Sequence, residues 1–386
     1  MTPRHRTWRR SSLWRRDRGR RRSDRLVAQL LEPRHAPAIF GVPSLVADIR
    51  PGAQGSILQT TSSVGPKADA VIVAGDVALF VADDGVHGLE LWRTDGTAAG
   101  TFLVHDIRKG PSGSVPAALF AVGGVAFFSA DDGLHGRELW RTDGTPGGTS
   151  LVANIATDSG DPADPDTLSS DPRTLAAVDG QVFFTATRPD AGTELWVSDG
   201  TPAGTRMVID LAPGQASGLS TFNQAAVPFG GGLLFAGDDG LRGRELWRTD
   251  GSAAGTVPVA DVRVGPGGSN PTELTPVGGF VLFAADDGAA GTELWRTDGI
   301  DTFLVNNIAL DGSDVPTSSF PTGLTRFGDR VVFAADDGVH GREVWVSDGT
   351  AVGTALVKDI DESSSGGVPS GSFPARFTVG PAGDRG

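Results

Sequence analysis

The chain has 386 residues, 55 of them Gly and 25 Pro, so turns are dense and long helices are excluded. A hydrophobic content of 39% is enough for a packed core, and the lack of cysteine excludes both a disulfide framework and a thiolate metal site. The net charge of −14 is uneven: residues 1–35 hold twelve Arg against Asp17, Asp24 and Glu32, leaving 21 basic and 44 acidic residues for the rest. Such an acidic body repels nucleic acid and anionic membranes, and no run of eighteen apolar residues is present to form a transmembrane helix.

Taken in chain order, the first element is the basic start. Arg9-Arg10 followed by Ser11-Ser12-Leu13 fits a twin-arginine export pattern, while Leu26–Leu31 is shorter than the apolar core of an ordinary signal peptide. Ala36-Pro37-Ala38 offers a small-residue, cleavage-like site. Together with Leu31-Glu32-Pro33-Arg34 it resembles the LEPR-type N-terminal segment of large bacterial surface and secreted proteins. That resemblance implies a secreted or cell-surface location; a solvated basic tail and a polyanion-binding arm are the other readings of residues 1–40.

Six tryptophans then recur in one frame: Trp92, Trp140, Trp196, Trp247, Trp295 and Trp345, at separations of 48, 56, 51, 48 and 50 residues. A period near fifty belongs to propellers. The second unit illustrates the pattern. Leu119–Val122 ends in a double Gly, Val125–Ala130 leads into Asp131-Asp132-Gly133, Glu138–Thr142 closes with Asp143-Gly144, and Ser150–Ile155 follows. Each run is short, rich in β-branched and aromatic residues, and bounded by turn residues, which predicts four antiparallel strands, here a to d. Strand b is apolar on both faces, as in Gly232-Leu233-Leu234-Phe235-Ala236, so a lone sheet would leave one face in water. Radial stacking of blades buries both. The expected fold is therefore an all-β propeller of four-stranded antiparallel blades over residues 41–380, with 381–386 a disordered tail.

The recurring side chains are expected to be structural. Phe80, Phe128, Phe184, Phe235, Phe283 and Phe333 of strand b, with the six Trp, fill between blades. Glu90, Glu138, Glu194, Glu245, Glu293 and Glu343 begin strand c and are expected to accept N–H groups of a neighbouring loop. Asp95, Asp143, Asp199, Asp250, Asp298 and Asp348 precede the turn glycine, where a carboxylate can accept backbone amides. The segments ELWRTDGT at 90–97 and 138–145, ELWVSDGT at 194–201, ELWRTDGS at 245–252, ELWRTDG at 293–299 and EVWVSDGT at 343–350 resemble the ELWxxDGT repeat family. The resemblance covers about residues 45–380. It implies a propeller-like bacterial extracellular or cell-surface protein and no particular enzymatic activity. Unit five departs from it by lacking Thr-x-x-Gly-Thr after its Asp-Gly, and unit three by Arg188-Pro189-Asp190 in place of Asp-Asp-Gly.

The strand-d sequence occurs a seventh time at 45–49, before the first unit, and Phe373–Gly380 begins like a strand a. Six complete blades plus an incomplete seventh is the expected closure. Function is expected where the copies disagree, on the face carrying the b–c loops and d–a connections. There the loop-tip position reads His87, His135, Ala191, Arg242, Ala290 and His340, too irregular for a ring of metal ligands. The insertion behind the 56-residue spacing carries Asp158, Asp161, Asp164, Asp166 and Asp171, the candidate Ca²⁺ ligands. The chain has no Tyr, the usual sialidase nucleophile, and no Gly-x-Ser-x-Gly or His-Glu-x-x-His motif. The expectation is a non-catalytic binding or adhesion scaffold for a protein or glycan ligand, with no catalytic residue and no cofactor. The alternative is a carbohydrate-active hydrolase using an Asp/Glu pair on the loop face.

Overall fold

A computed structural model describes residues 45–51, 71–157, 168–220, 225–309, 317–365, 368–369, 371–375 and 377–378. Within them every regular element is a strand, and the fold is the expected one: six four-stranded antiparallel sheets, each in the order a-b-c-d. Unit two runs Ala117–Val122, Val125–Asp131, Arg137–Thr142 and Ser150–Ala153. Strands a of successive units lie against one another, which places them innermost and strand d at the rim. No described helix is long and apolar enough to cross a membrane.

Register explains the two aromatic positions. The strand-b Phe and strand-c Trp are direct cross-strand partners in every unit, as in Phe128↔Trp140 and Phe333↔Trp345. A bulge against strand d falls immediately before each Trp. Such a paired Phe and Trp present one broad apolar surface toward the preceding blade. The preceding blade answers with aliphatic residues from its other face. Leu79, Leu91, Val104 and Ile107 of unit one pack with Phe128 and Trp140 of unit two, and Leu282, Leu294, Val305 and Ile308 of unit five with Phe333 and Trp345 of unit six. Equivalent clusters join the other neighbours.

The terminal pieces extend this rule past both ends of the set. Ile49 packs on Phe80 and Trp92, where a preceding strand d would sit, and Arg50 reaches Asp83 at 2.8 Å. At the other end Ser372 binds Glu343 as Ser319 binds Glu293, and Phe377 lies beside Gly323 of the sixth strand a. Ile49 and Arg50 thus stand where a strand d before unit one would lie, and Ser372 and Phe377 where a strand a after unit six would begin. Residues 1–40 and 381–386 lie outside the described residues.

Between blades, the b–c loop is pressed onto the d–a connection. Gly243 has φ +70°, and a Cβ there would fall 2.6 Å from the Gly268 nitrogen and 2.7 Å from the Pro266 oxygen. A side chain at this position faces both left-handed strain and a backbone collision. Gly243→Ala should therefore cost about 2–4 kcal/mol. Gly147→Ala, where open space surrounds the Cβ position, should leave Tm unchanged by comparison in differential scanning calorimetry.

Candidate functional site

The strand-c glutamates are fully buried, and each gathers donors from its own d–a connection. Glu138 accepts the Ile155, Ala156 and Ser170 amides and the Ser170 hydroxyl, the last at 2.5 Å. Glu90, Glu245 and Glu293 hold Ser114, Ser269 and Ser319 in the same way, while Glu194 holds the Leu211 and Gly218 amides. The carbonyl of each held residue then accepts an N–H from the next unit's strand b, as Asp131 to Ser114 and Asp336 to Ser319. These carboxylates are sealed beneath loops, so none offers an oxygen to a substrate.

Burial pushes Glu138 and Glu194 up to about 7, against the downward pull of the amides and hydroxyl bonded to them. Glu343 has the same kind of donors. It is shielded by less protein, and the bonds from Ser372 and Asp361 outweigh desolvation to hold it below the usual value.

The Asp-Gly carboxylates sit on the opposite face, in the c–d turns. Asp95 Oδ1 accepts the Thr97 amide and hydroxyl at 2.9 and 2.7 Å, a geometry shared by Asp143, Asp199, Asp250 and Asp348. A Cβ at Gly100, Gly148, Gly204, Gly255 or Gly353 would collide with that carboxylate, which is why the glycine of Thr-x-x-Gly-Thr recurs. In unit five Asp298 accepts instead from Ile300 and Asp301, the shorter turn expected there. Beside that turn lies an open depression of about 390 Å³, lined by Gly230, Gly231, Arg248, Asp250, Asp298 and Ile300 among others. Its two carboxylates are both engaged in turns.

On the loop face the Asp-Asp-Gly segments form tight turns, with Asp83 bonded to the Gly85 amide and Asp84 to the Val86 and His87 amides. The second carboxylate also grips the loop-tip side chain. His87 Nδ1 lies 2.6 Å from Asp84, and His135 and His340 lie 2.7 Å from Asp132 and Asp337. Arg242 pairs with Asp239 in the same place, whereas Ala191 and Ala290 carry no polar group there. The bond to Asp84 raises the His87 pKa and that to Asp337 raises His340. Arg108 and Arg263 bridge to Asp131 and Asp286 of the following blade at 2.5 and 2.7 Å. The identity of the loop-tip residue was visible in sequence; the oriented Asp–His pair was not, because it depends on the turn closing between residues three apart.

Among the candidate Ca²⁺ ligands, Asp158, Asp161, Asp164 and Asp166 lie outside the described residues. Asp171 is exposed, at φ +45°, and 4.0 Å from Arg137. Among the described residues no group of three or more acids or histidines is placed to hold a metal ion.

No family model matches the chain, and no curated protein matches it. Solved structures do. They include puromycin hydrolase (16% identity, TM-score 0.32, covering 76% of this chain and 54% of that one) and a Mycobacterium tuberculosis puromycin-hydrolyzing peptidase (14%, 0.40, 74% and 44%). A prolyl endopeptidase is similar at 10% identity and a TM-score of 0.34, with 75% and 49% covered. The chain thus spans about half the length of these proteins, and the likeness is one of fold. The expectation of a non-catalytic binding or adhesion scaffold is corrected by these matches, since the propeller-bearing proteins it resembles are peptidases.

The raised glutamates give a pH prediction with a definite sign. A carboxyl whose pKa is higher folded than unfolded stabilises fully below its unfolded value and less as pH rises through its folded value. Glu138 and Glu194 should therefore each withdraw up to about 3 kcal/mol between pH 4.5 and about 7. Asp95, Asp143, Asp199, Asp250, Asp298 and Asp348 of the c–d turns, held below their usual value by the amides and hydroxyls bonded to them, are ionised across that window and add little slope. Thermal unfolding should show Tm falling across it, and Glu194→Ala, though less stable overall, should flatten the fall.

Proposed function

We propose that the chain acts in hydrolysis, with its loop face as the working surface and His87, His135 and His340 as proton acceptors for the attacking water. The observation that carries this reading is the Asp–His geometry. Each Nδ1 is engaged by a carboxylate, which sets the imidazole in the tautomer whose Nε2 is basic, and each ring remains about a third exposed to solvent. An oriented imidazole of this kind serves as a general base toward water.

The bond cleaved is an ester or amide in this reading. Glycoside hydrolysis requires two free carboxyl groups flanking the scissile bond. Along the loop face the described Asp-Asp-Gly carboxylates are engaged in turns, Arg bridges or His pairs, and the strand-c glutamates are sealed. The acid pair of the carbohydrate-active alternative thus has less support than an imidazole base.

The test is turnover of p-nitrophenyl esters, aminoacyl coumarin amides and p-nitrophenyl glycosides by the purified chain. Ester or amide hydrolysis should rise with pH as His87 and His340 lose their protons, in a range displaced upward by their bonds to Asp84 and Asp337. Replacing all three His by Gln should lower kcat/KM by about a hundredfold or more. Absence of ester and amide turnover, or a triple variant as active as the parent, would overturn the proposal.

A further inference from the structure

Each blade from one to five gives its aliphatic face to the Phe and Trp of its successor. Val104 and Ile107, Val152 and Ile155, Val208 and Leu211, and Val305 and Ile308 are all at most 8% exposed in consequence, and in unit four Val259 and Val262 are part-buried against the cluster of Phe283. In unit six the same positions are Val357 and Ile360, each 56% exposed. Val332 and Val344, which correspond to the buried Leu79 and Leu91, are only half-buried. No described strands b and c cover this face, although Ser372 and Phe377 mark where the strand a of a covering blade begins.

Charge on the same face selects the occupant. The residue after the strand-d Ile or Val is Arg50, Arg108 and Arg263 in three copies, and each pairs with the last strand-b Asp of the next blade: Asp83, Asp131 and Asp286. In unit six that residue is Asp361. Its equivalence rests on geometry as well as sequence, because its amide reaches Glu343 as those of Arg108 and Arg263 reach Glu90 and Glu245. An Asp-Asp-Gly hairpin like the chain's own would bring two carboxylates together here. A hairpin with a cation at the end of its first strand would form the ion pair in reverse.

We propose that the open face of blade six docks a β-hairpin from a partner polypeptide, with an aromatic residue on each strand facing Val357 and Ile360 and a Lys or Arg opposite Asp361. The hairpin adds strands b and c beside the strand a that begins at Ser372. Two observations of different kind carry this: an aliphatic surface that is buried at its equivalents in four of the other blades and part-buried in unit four, and a reversed charge that disfavours a second copy of the chain. It is independent of the hydrolytic reading.

The probes are two cyclised peptides of residues 329–348, the sixth unit's own b–c hairpin, one unchanged and one with Asp336→Arg. Binding to the full chain is measured by calorimetry, and self-association by sedimentation velocity. The Asp336→Arg peptide should bind about tenfold or more tightly than the unchanged one. Val357→Asp in the protein should weaken it by a similar factor, and Asp361→Arg should invert the preference. Absence of binding, equal binding of the two peptides, or binding indifferent to Val357→Asp would overturn the proposal. A dimer that Val357→Asp dissociates would assign the face to a second copy instead.

Discussion

The structure depends on one relay of hydrogen bonds. A buried strand-c glutamate fixes the amide of a residue in the d–a connection, and that residue's carbonyl accepts an N–H from strand b of the next blade. The relay does for polar groups what the Leu-Val-Ile face and the Phe-Trp pair do for apolar ones. Buried backbone amides at every blade crossing must find acceptors, and a carboxylate can take several at once. Blade spacing and register are thereby tied to a single side chain per unit.

This role bears directly on function. Acids recurring in all six units would be attractive catalytic candidates, and burial raises two of them to about 7, the range of a working general acid. Their accessibility decides otherwise: a carboxylate closed beneath a loop and saturated with donors cannot approach a substrate. Glu343 makes the comparison internal. It has a similar donor set with less protein around it, and its pKa moves the opposite way. The chemistry left on the surface is that of the loop tips, where copies one, two and six present an oriented imidazole and the others do not.

Much of the architecture could be read from residue spacing. The Trp frame, the four short runs per unit and the doubly apolar strand b pointed to stacked blades, since radial stacking hides both faces of each small sheet. The turn aspartates were legible because an Asp-Gly turn places its acceptor within two residues. The glutamates were legible only in part. Their bonds reach 15 to 32 residues along the chain, a distance over which sequence spacing says nothing of geometry. The Asp–His pairs were missed for a related reason: Asp-x-x-His becomes an interaction only if the intervening turn closes.

The sequence by itself determined the strand pattern, the unit count and the chemical character of each face, because alternation, turn residues and aromatic spacing are local properties. It also contained, unread, the exchange of Arg for Asp361 and the ordinary-looking Val357 and Ile360. Only the tertiary structure decided that these residues stand on an uncovered surface, since exposure is a relation between a face and whatever packs on it. The same holds for the glutamates, whose buried and saturated state arises from loops folded over them.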